Sequence, residues 1–172
     1  MFLRRFKDKS NQKFINHLLE EQQRTVPRGK VDSVGVLLNF NEFNQYDEFR
    51  KMLKEIGIKD NKVKFIAMIE DEKSRPNSWD DFFSPDDFGW KGKIKNPQLE
   101  EFINTSFDAL ICYYGTALFE LDFVSAMSRA KFKIGISDHD PRLFDLIIQL
   151  EPRYLNVFAK EIEKYLTVLN KI

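Results

Sequence analysis

At 172 residues the chain is long enough to bury one substantial core and too short for two domains of ordinary size. Hydrophobic residues at 42% and charged residues at 31% exclude a disordered chain. The balance of 27 Lys and Arg against 27 Asp and Glu leaves no global field to draw nucleic acid.

No nucleic-acid partner is therefore expected, and a near-neutral surface weakly favours self-association into a homodimer. Cys112 is the one cysteine, so an internal disulfide is excluded. No apolar run is long enough for a transmembrane segment. The opening MFLRRFKDK is basic with apolar Phe2, Leu3 and Phe6, but Asp8 and polar residues 10–13 follow, so it lacks the apolar centre of a signal peptide. These features point to a reduced, cytoplasmic protein. Phe outnumbers Tyr and Trp, 17 to 5 and 2, so most rings belong in a core and a few are candidate interface anchors.

In chain order, residues 10–23 place Phe14, Ile15, Leu18 and Leu19 at helical spacing, with Ser10 as the expected N-cap. With the apolar residues upstream, residues 1–24 read as a helical arm. Such an arm packs on the domain, binds a partner or lies on a membrane surface; Glu20 and Glu21 argue against an anionic lipid surface. Pro27 and Gly29 break the helix. Residues 31–40 carry VGVLLNF, the pattern of a strand buried on both faces. A helix over 46–56 with a Phe49, Met52, Leu53 and Ile56 stripe ends at Gly57, and VKFIAMI over 63–69 is the next buried strand.

Residues 70–87 form a long charged connection holding Trp79, Phe82 and Phe83. Its aromatics either tack the loop to the domain, the expected case, or form a lid or binding surface. A short edge strand is expected within 88–94, FGWKGKI, followed by a helix from Pro97 through Ile103 capped by Asn96.

The densest apolar stretch, residues 106–136, reads as strand 108–113, helix 119–130 and strand 132–136, one parallel crossover unit. A strand over 144–150 follows so closely that an antiparallel edge is expected, and a helix over 154–170 closes the chain.

Signatures with a defined chemistry are largely missing. Asn39, Phe40 and Asn41 stand where a dinucleotide fingerprint needs glycines, and one cysteine with two histidines gives no metal spacing. No metal site and no cofactor is predicted, and no Gly-x-Ser-x-Gly elbow is present. In an open α/β sheet, ligands bind beyond the carboxyl ends of the strands. Those ends deliver Asn39 and Asn41; Tyr113, Tyr114, Gly115 and Thr116; and Asp138, His139 and Asp140, which are the candidate ligand-binding residues. The turn at Tyr114 leads to a helix N-terminus, a ready anion site, yet Glu120 and Asp122 in its first turn would repel phosphate. Asp138-His139-Asp140 reads as an acid/base or metal half-site, or as a polar tight turn, and the turn is the expectation. Cys112 reads as a packing residue, His17 as a surface residue, and Arg129, Lys131 and Lys133 as cations offsetting a helix dipole.

The blocks FGWKGKI (88–94), FDALICY (107–113), SRAKFKIGI (128–136) and KYLTVLNKI (164–172) resemble an uncharacterised family of Bacteroidetes proteins carrying a domain-of-unknown-function label. That resemblance implies an α/β domain and no activity. Residues 107–135 are also similar to part of the first nucleotide-fold half of bacterial heptosyltransferases, where a Tyr-Asp strand precedes a helix and a short Ala-basic-x-x-Gly strand. The sugar-nucleotide half has no counterpart, so only a kinship of fold is implied.

The expectation is a single three-layer α/β domain over 1–172, with a mainly parallel, Rossmann-like sheet of five or six strands and an antiparallel edge strand. The expected function is a non-enzymatic module binding a protein or a small molecule. The alternative is a small transferase-like or hydrolase-like enzyme using Asp138, His139 or Asp140 beside Tyr114 and Thr116; a pocket shared by those two turns would favour it.

Overall fold

A computed structural model describes residues 2–137 and 140–172. Five α-helices, α1 (Phe2–Glu21), α2 (Tyr46–Glu55), α3 (Pro97–Asn104), α4 (Phe119–Met127) and α5 (Leu155–Val168), surround six strands. The strands are β1 (Val34–Asn39), β2 (Val63–Met68), β3 (Asp81–Phe83), β4 (Ala109–Tyr113), β5 (Lys133–Gly135) and β6 (Leu146–Ile147). They form one sheet in the order β3-β2-β1-β4-β5-β6, and every neighbouring pair is parallel.

The apolar runs explain the layering. All six residues of β1 and all five of β4 are buried, as strands covered on both faces require. Side chains alternate across the sheet. Val34, Val36 and Leu38 join Phe49 and Leu53 of α2 and Phe158 and Ile162 of α5 in one layer. Leu37, Leu110 and Cys112 join Ile15 of α1, Phe102 of α3 and Phe123 of α4 in the other. The result is a three-layer sandwich whose strand order reverses between β1 and β4, which makes that crevice the topological switch point. Among the described residues, no helix is long and apolar enough to cross a membrane.

Four expectations are corrected. The last strand is parallel to β5, not an antiparallel edge. β5 is three residues long, so the link over 136–145 has only about 10 Å to climb back, and a 3-10 turn at Pro141–Leu143 suffices. Residues 88–94 form no sheet strand; Phe88 and Ile94 meet in one antiparallel bridge. The sheet edge is instead β3, inside the polar 70–87 connection, where Phe82 and Phe83 are buried and Trp79 stands fully exposed. Helix α1 begins at Phe2, so Ser10 lies within it and caps nothing. Asn96 does cap α3, its side chain accepting from the Leu99 N–H at 3.1 Å.

The amino ends of the strands are fastened by side chains. Asp108, just before β4, accepts from the N–H of Asp32 at 3.1 Å, the N–H and Oγ of Ser33 at 3.0 Å each, and Lys131 Nζ at 2.7 Å. Burial alone would raise its pKa, but these donors from Lys131, Ser33 and Asp32 outweigh it and hold the carboxyl at about 2. Arg24 grips Asp145, just before β6, through Nε at 3.3 Å and Nη2 at 2.7 Å, and Asp145 also accepts from the Lys133 N–H at 2.7 Å.

Candidate functional site

The carboxyl ends of β1 and β4 diverge at the switch point, and two short turns face one another across it. After β1 the chain folds back through Asn39: its carbonyl accepts from the Glu42 and Phe43 N–H groups at 3.1 and 3.0 Å, and its Oδ1 from the Asn41 N–H at 3.2 Å. This Asn-led turn aims the Glu42 side chain at the opposite turn. There Glu42 Oε2 accepts from the Gly115 N–H at 2.8 Å, and Oε1 accepts from the Thr116 N–H at 2.8 Å and from the Thr116 hydroxyl. A crossover of this fold places a ligand's phosphate against such N–H groups. Here the protein's own carboxylate occupies them.

Beside this contact lies an open cleft of about 700 Å³, lined by Glu42, Gly115, Ser137, Gln149, Glu151 and Tyr154 over an apolar floor of Ile136, Leu150 and Pro152. Its volume suits a small ligand. Two hydrogen bonds fix its walls: the Tyr113 hydroxyl donates to the Pro152 carbonyl at 2.8 Å, and the Ser137 hydroxyl donates to the Tyr114 carbonyl at 2.9 Å. Gly115 leaves the wall thin, since a Cβ there would stand 3.1 Å from Pro152 Cδ. Glu151 pairs with Arg153 at 2.9 Å, and that guanidinium lies 4.8 Å from the centre of the Tyr154 ring. A second hollow of about 620 Å³ runs between α2 and α5, lined by exposed charges such as Glu48, Lys51 and Lys160 around Met52, Ile56 and Leu155. Every lining residue comes from α2, α5 or the residue after α2, and none from a strand-end turn.

The residues expected at the site divide. Asn39 and Asn41 shape the turn whose Glu42 reaches Gly115 and Thr116, and of these four only Gly115 lines the cleft; Asn41 Nδ2 donates instead to Glu70 at 2.8 Å, beyond β2. Tyr113 and Tyr114 separate, because neighbouring strand residues point to opposite faces. Tyr113 packs in the α2/α5 layer against Phe43, Phe49 and Phe158. Tyr114 is buried in the α4 layer, its hydroxyl 3.0 Å from Asp122 Oδ1 and 2.8 Å from Ser125 Oγ. Burial pushes both phenols well above their ordinary value. Asp140 faces away from the cleft, into a small hollow between α1 and α4. Its carboxylate is held by the Arg142 side chain at 2.6 and 2.9 Å, which lowers its pKa. Asp138 and His139 lie outside the described residues.

Two further groups behave as packing chemistry requires. Burial pushes the Cys112 thiol up to about 12, with its sulfur 3.2 Å from Ser125 Oγ, so no nucleophile stands there. Lys133 is buried with Nζ 3.2 Å from the Ala126 carbonyl near the end of α4, where burial lowers its pKa to about 8. Lys131 instead ties strand ends through Asp108. Among the described residues, no three His, Cys, Asp or Glu side chains converge on a metal position.

Sequence reasoning missed Glu42, Glu151, Pro152 and Tyr154. Glu42 carried one legible signal, an acid three residues beyond a buried strand. Its partners are two backbone N–H groups and the Thr116 hydroxyl of a distant turn, a meeting no residue pattern reveals.

A protein-family model described as a family of unknown function (DUF6913) matches residues 7–169. Comparison with curated proteins and with solved structures found no match. The match concerns that family and does not extend to the heptosyltransferase likeness.

Proposed function

The chain belongs to this family of unknown function, and we propose that it is a binding module holding a small polar molecule, uncharged or cationic, in the cleft at the switch point. The observation that carries this reading is Glu42 on the N–H groups of Gly115 and Thr116. A phosphate would have to displace that carboxylate and then face Glu151. A hydroxyl or ammonium ligand would instead find Glu42 fixed in place, with Oε2 accepting one bond from Gly115 and able to accept another. Tyr154 and the Leu150 and Pro152 floor supply an apolar surface for the ligand's carbon skeleton. The helical arm and the α/β body over 1–172 are taken as one domain carrying this site.

A thermal-shift panel of sugars, polyols, primary amines, sugar nucleotides and inorganic phosphate tests the reading, since a ligand of the native state raises the unfolding midpoint. Midpoints rising with members of the first three classes support it. Rises confined to sugar nucleotides and phosphate contradict it.

A small transferase-like or hydrolase-like enzyme is the second reading, favoured by the lining of one cleft by both Gly115 and Ser137. It ranks second because the Ser137 hydroxyl is spent on the Tyr114 carbonyl and Asp140 on Arg142. Conversion of a stabilising panel member, followed by NMR over hours, would promote it.

A further inference from the structure

Helix α1 is docked over only part of its length. Asn11, Ile15 and Leu19 are buried, and Asn11 clamps the neighbouring turn, donating to the Gly89 carbonyl at 2.8 Å and accepting from the Gly92 N–H at 3.0 Å. Toward its start the helix leaves the body, and residues 2–6 are exposed on every side. Phe2, Leu3 and Phe6 are 76%, 75% and 51% exposed, with the Phe2 and Phe6 rings 5.0 Å apart. At helical spacing these three fall within about 100° of arc, roughly opposite Asn11, Ile15 and Leu19. They point away from the body.

Charge surrounds this apolar tip. Arg4, Arg5, Lys7, Lys9 and Lys13 stand against the single acid Asp8 before Glu20 is reached. Among the described residues Arg4, Arg5, Lys9 and Lys13 have no ion pair. The helix dipole adds positive potential at the same end. Lys7 Nζ donates to the Phe88 carbonyl at 2.9 Å, which sets the 89–92 turn beside the second and third turns of α1. That turn presents Trp90, 51% exposed, followed by exposed Lys91. The objection from Glu20 and Glu21 loses force in three dimensions. They lie about 27 Å along the helix from the tip, well beyond the roughly 8 Å over which salt screens exposed charges.

Apolar side chains ringed by unpaired cations, with an aromatic of the interfacial type alongside, match an anionic bilayer surface in both polarity and charge. We propose that the amino-terminal tip of α1 and the Trp90 turn dock the protein on anionic phospholipid. Phe2, Leu3 and Phe6 enter the headgroup boundary, and the cations contact lipid phosphate and carboxylate. The remainder of the molecule stays outside the bilayer.

The test uses the full chain with a tag only at its carboxyl end. Vesicles of phosphatidylcholine are compared with vesicles containing roughly 30% phosphatidylserine, which supply the anionic surface. Co-sedimentation is expected with the anionic vesicles alone and is expected to weaken as salt rises. Arg4→Gln with Arg5→Gln should weaken it by roughly 25-fold, about fivefold per cation. Phe2→Ser, Leu3→Ser and Phe6→Ser together should abolish it with little change in the thermal midpoint, because these side chains are largely exposed and belong to neither core layer. In a Trp79→Phe background, Trp90 emission should shift to the blue on adding anionic vesicles. Failure to sediment, or equal sedimentation with both vesicle types, overturns the proposal. So does light scattering that shows a dimer lost in the triple Ser variant, which would assign the tip to a second copy of the chain.

Discussion

The two ends of the parallel sheet use polar side chains in opposite ways. At the amino ends, Asp108 and the Arg24–Asp145 pair draw β1, β4, β5 and β6 together, through partners just before β1 and around the start of β5. At the carboxyl ends, Glu42 also satisfies backbone donors of another segment, yet a cleft of about 700 Å³ remains open beside it. One end closes the fold and the other is left hollow. Side-chain charge placed on backbone donors thus serves cohesion where the strands begin, while a cleft stays open where they end, the end at which α/β sheets bind ligands.

Substitutions should separate these roles. The largest effect is expected at Arg24→Met, which leaves Asp145, 9% exposed, without its cation and should cost about 2–3 kcal/mol in urea unfolding. A loss below about 0.5 kcal/mol would remove the pair from the account. Asp108→Asn should cost about 2 kcal/mol, and its pH signature is specific. The folded carboxyl lies at about 2 against an ordinary 3.8, so it stabilises fully above that ordinary value. The stabilisation is lost as pH falls from about 4 toward 2. Wild type should therefore lose its advantage over Asp108→Asn across that window, measured by unfolding at each pH. At the other end, Tyr113→Phe removes one hydrogen bond to Pro152 and should cost about 1 kcal/mol. Its sharper readout is faster amide exchange in residues 150–154, with the 108 staple unaffected.

Much of this architecture could be read from residues because burial on both faces leaves a continuous apolar signature. VGVLLN and ALICY announced β1 and β4, and the stripe of Phe49, Met52 and Leu53 announced α2. The misreadings have physical causes. β3 is three residues inside a charged connection, too short to show a period. The direction of β6 depended on how far the chain had to climb back, which is set by the shortness of β5. The candidate site was half legible: the switch point and Thr116 followed from topology. Glu42 did not, because two of its three partners are main-chain groups of a distant turn. The pairing of Tyr113 with Tyr114 failed on the alternation that defines a strand.

The central claim is that Glu42 holds the anion position of the switch point and so decides what the cleft accepts. Amide NMR of the chain titrated with inorganic phosphate tests it most directly, compared with Glu42→Ala. The account predicts unmoved Gly115 and Thr116 amides in the wild type and saturable shifts at both in Glu42→Ala. Saturable phosphate shifts at those two amides in the wild type would contradict it.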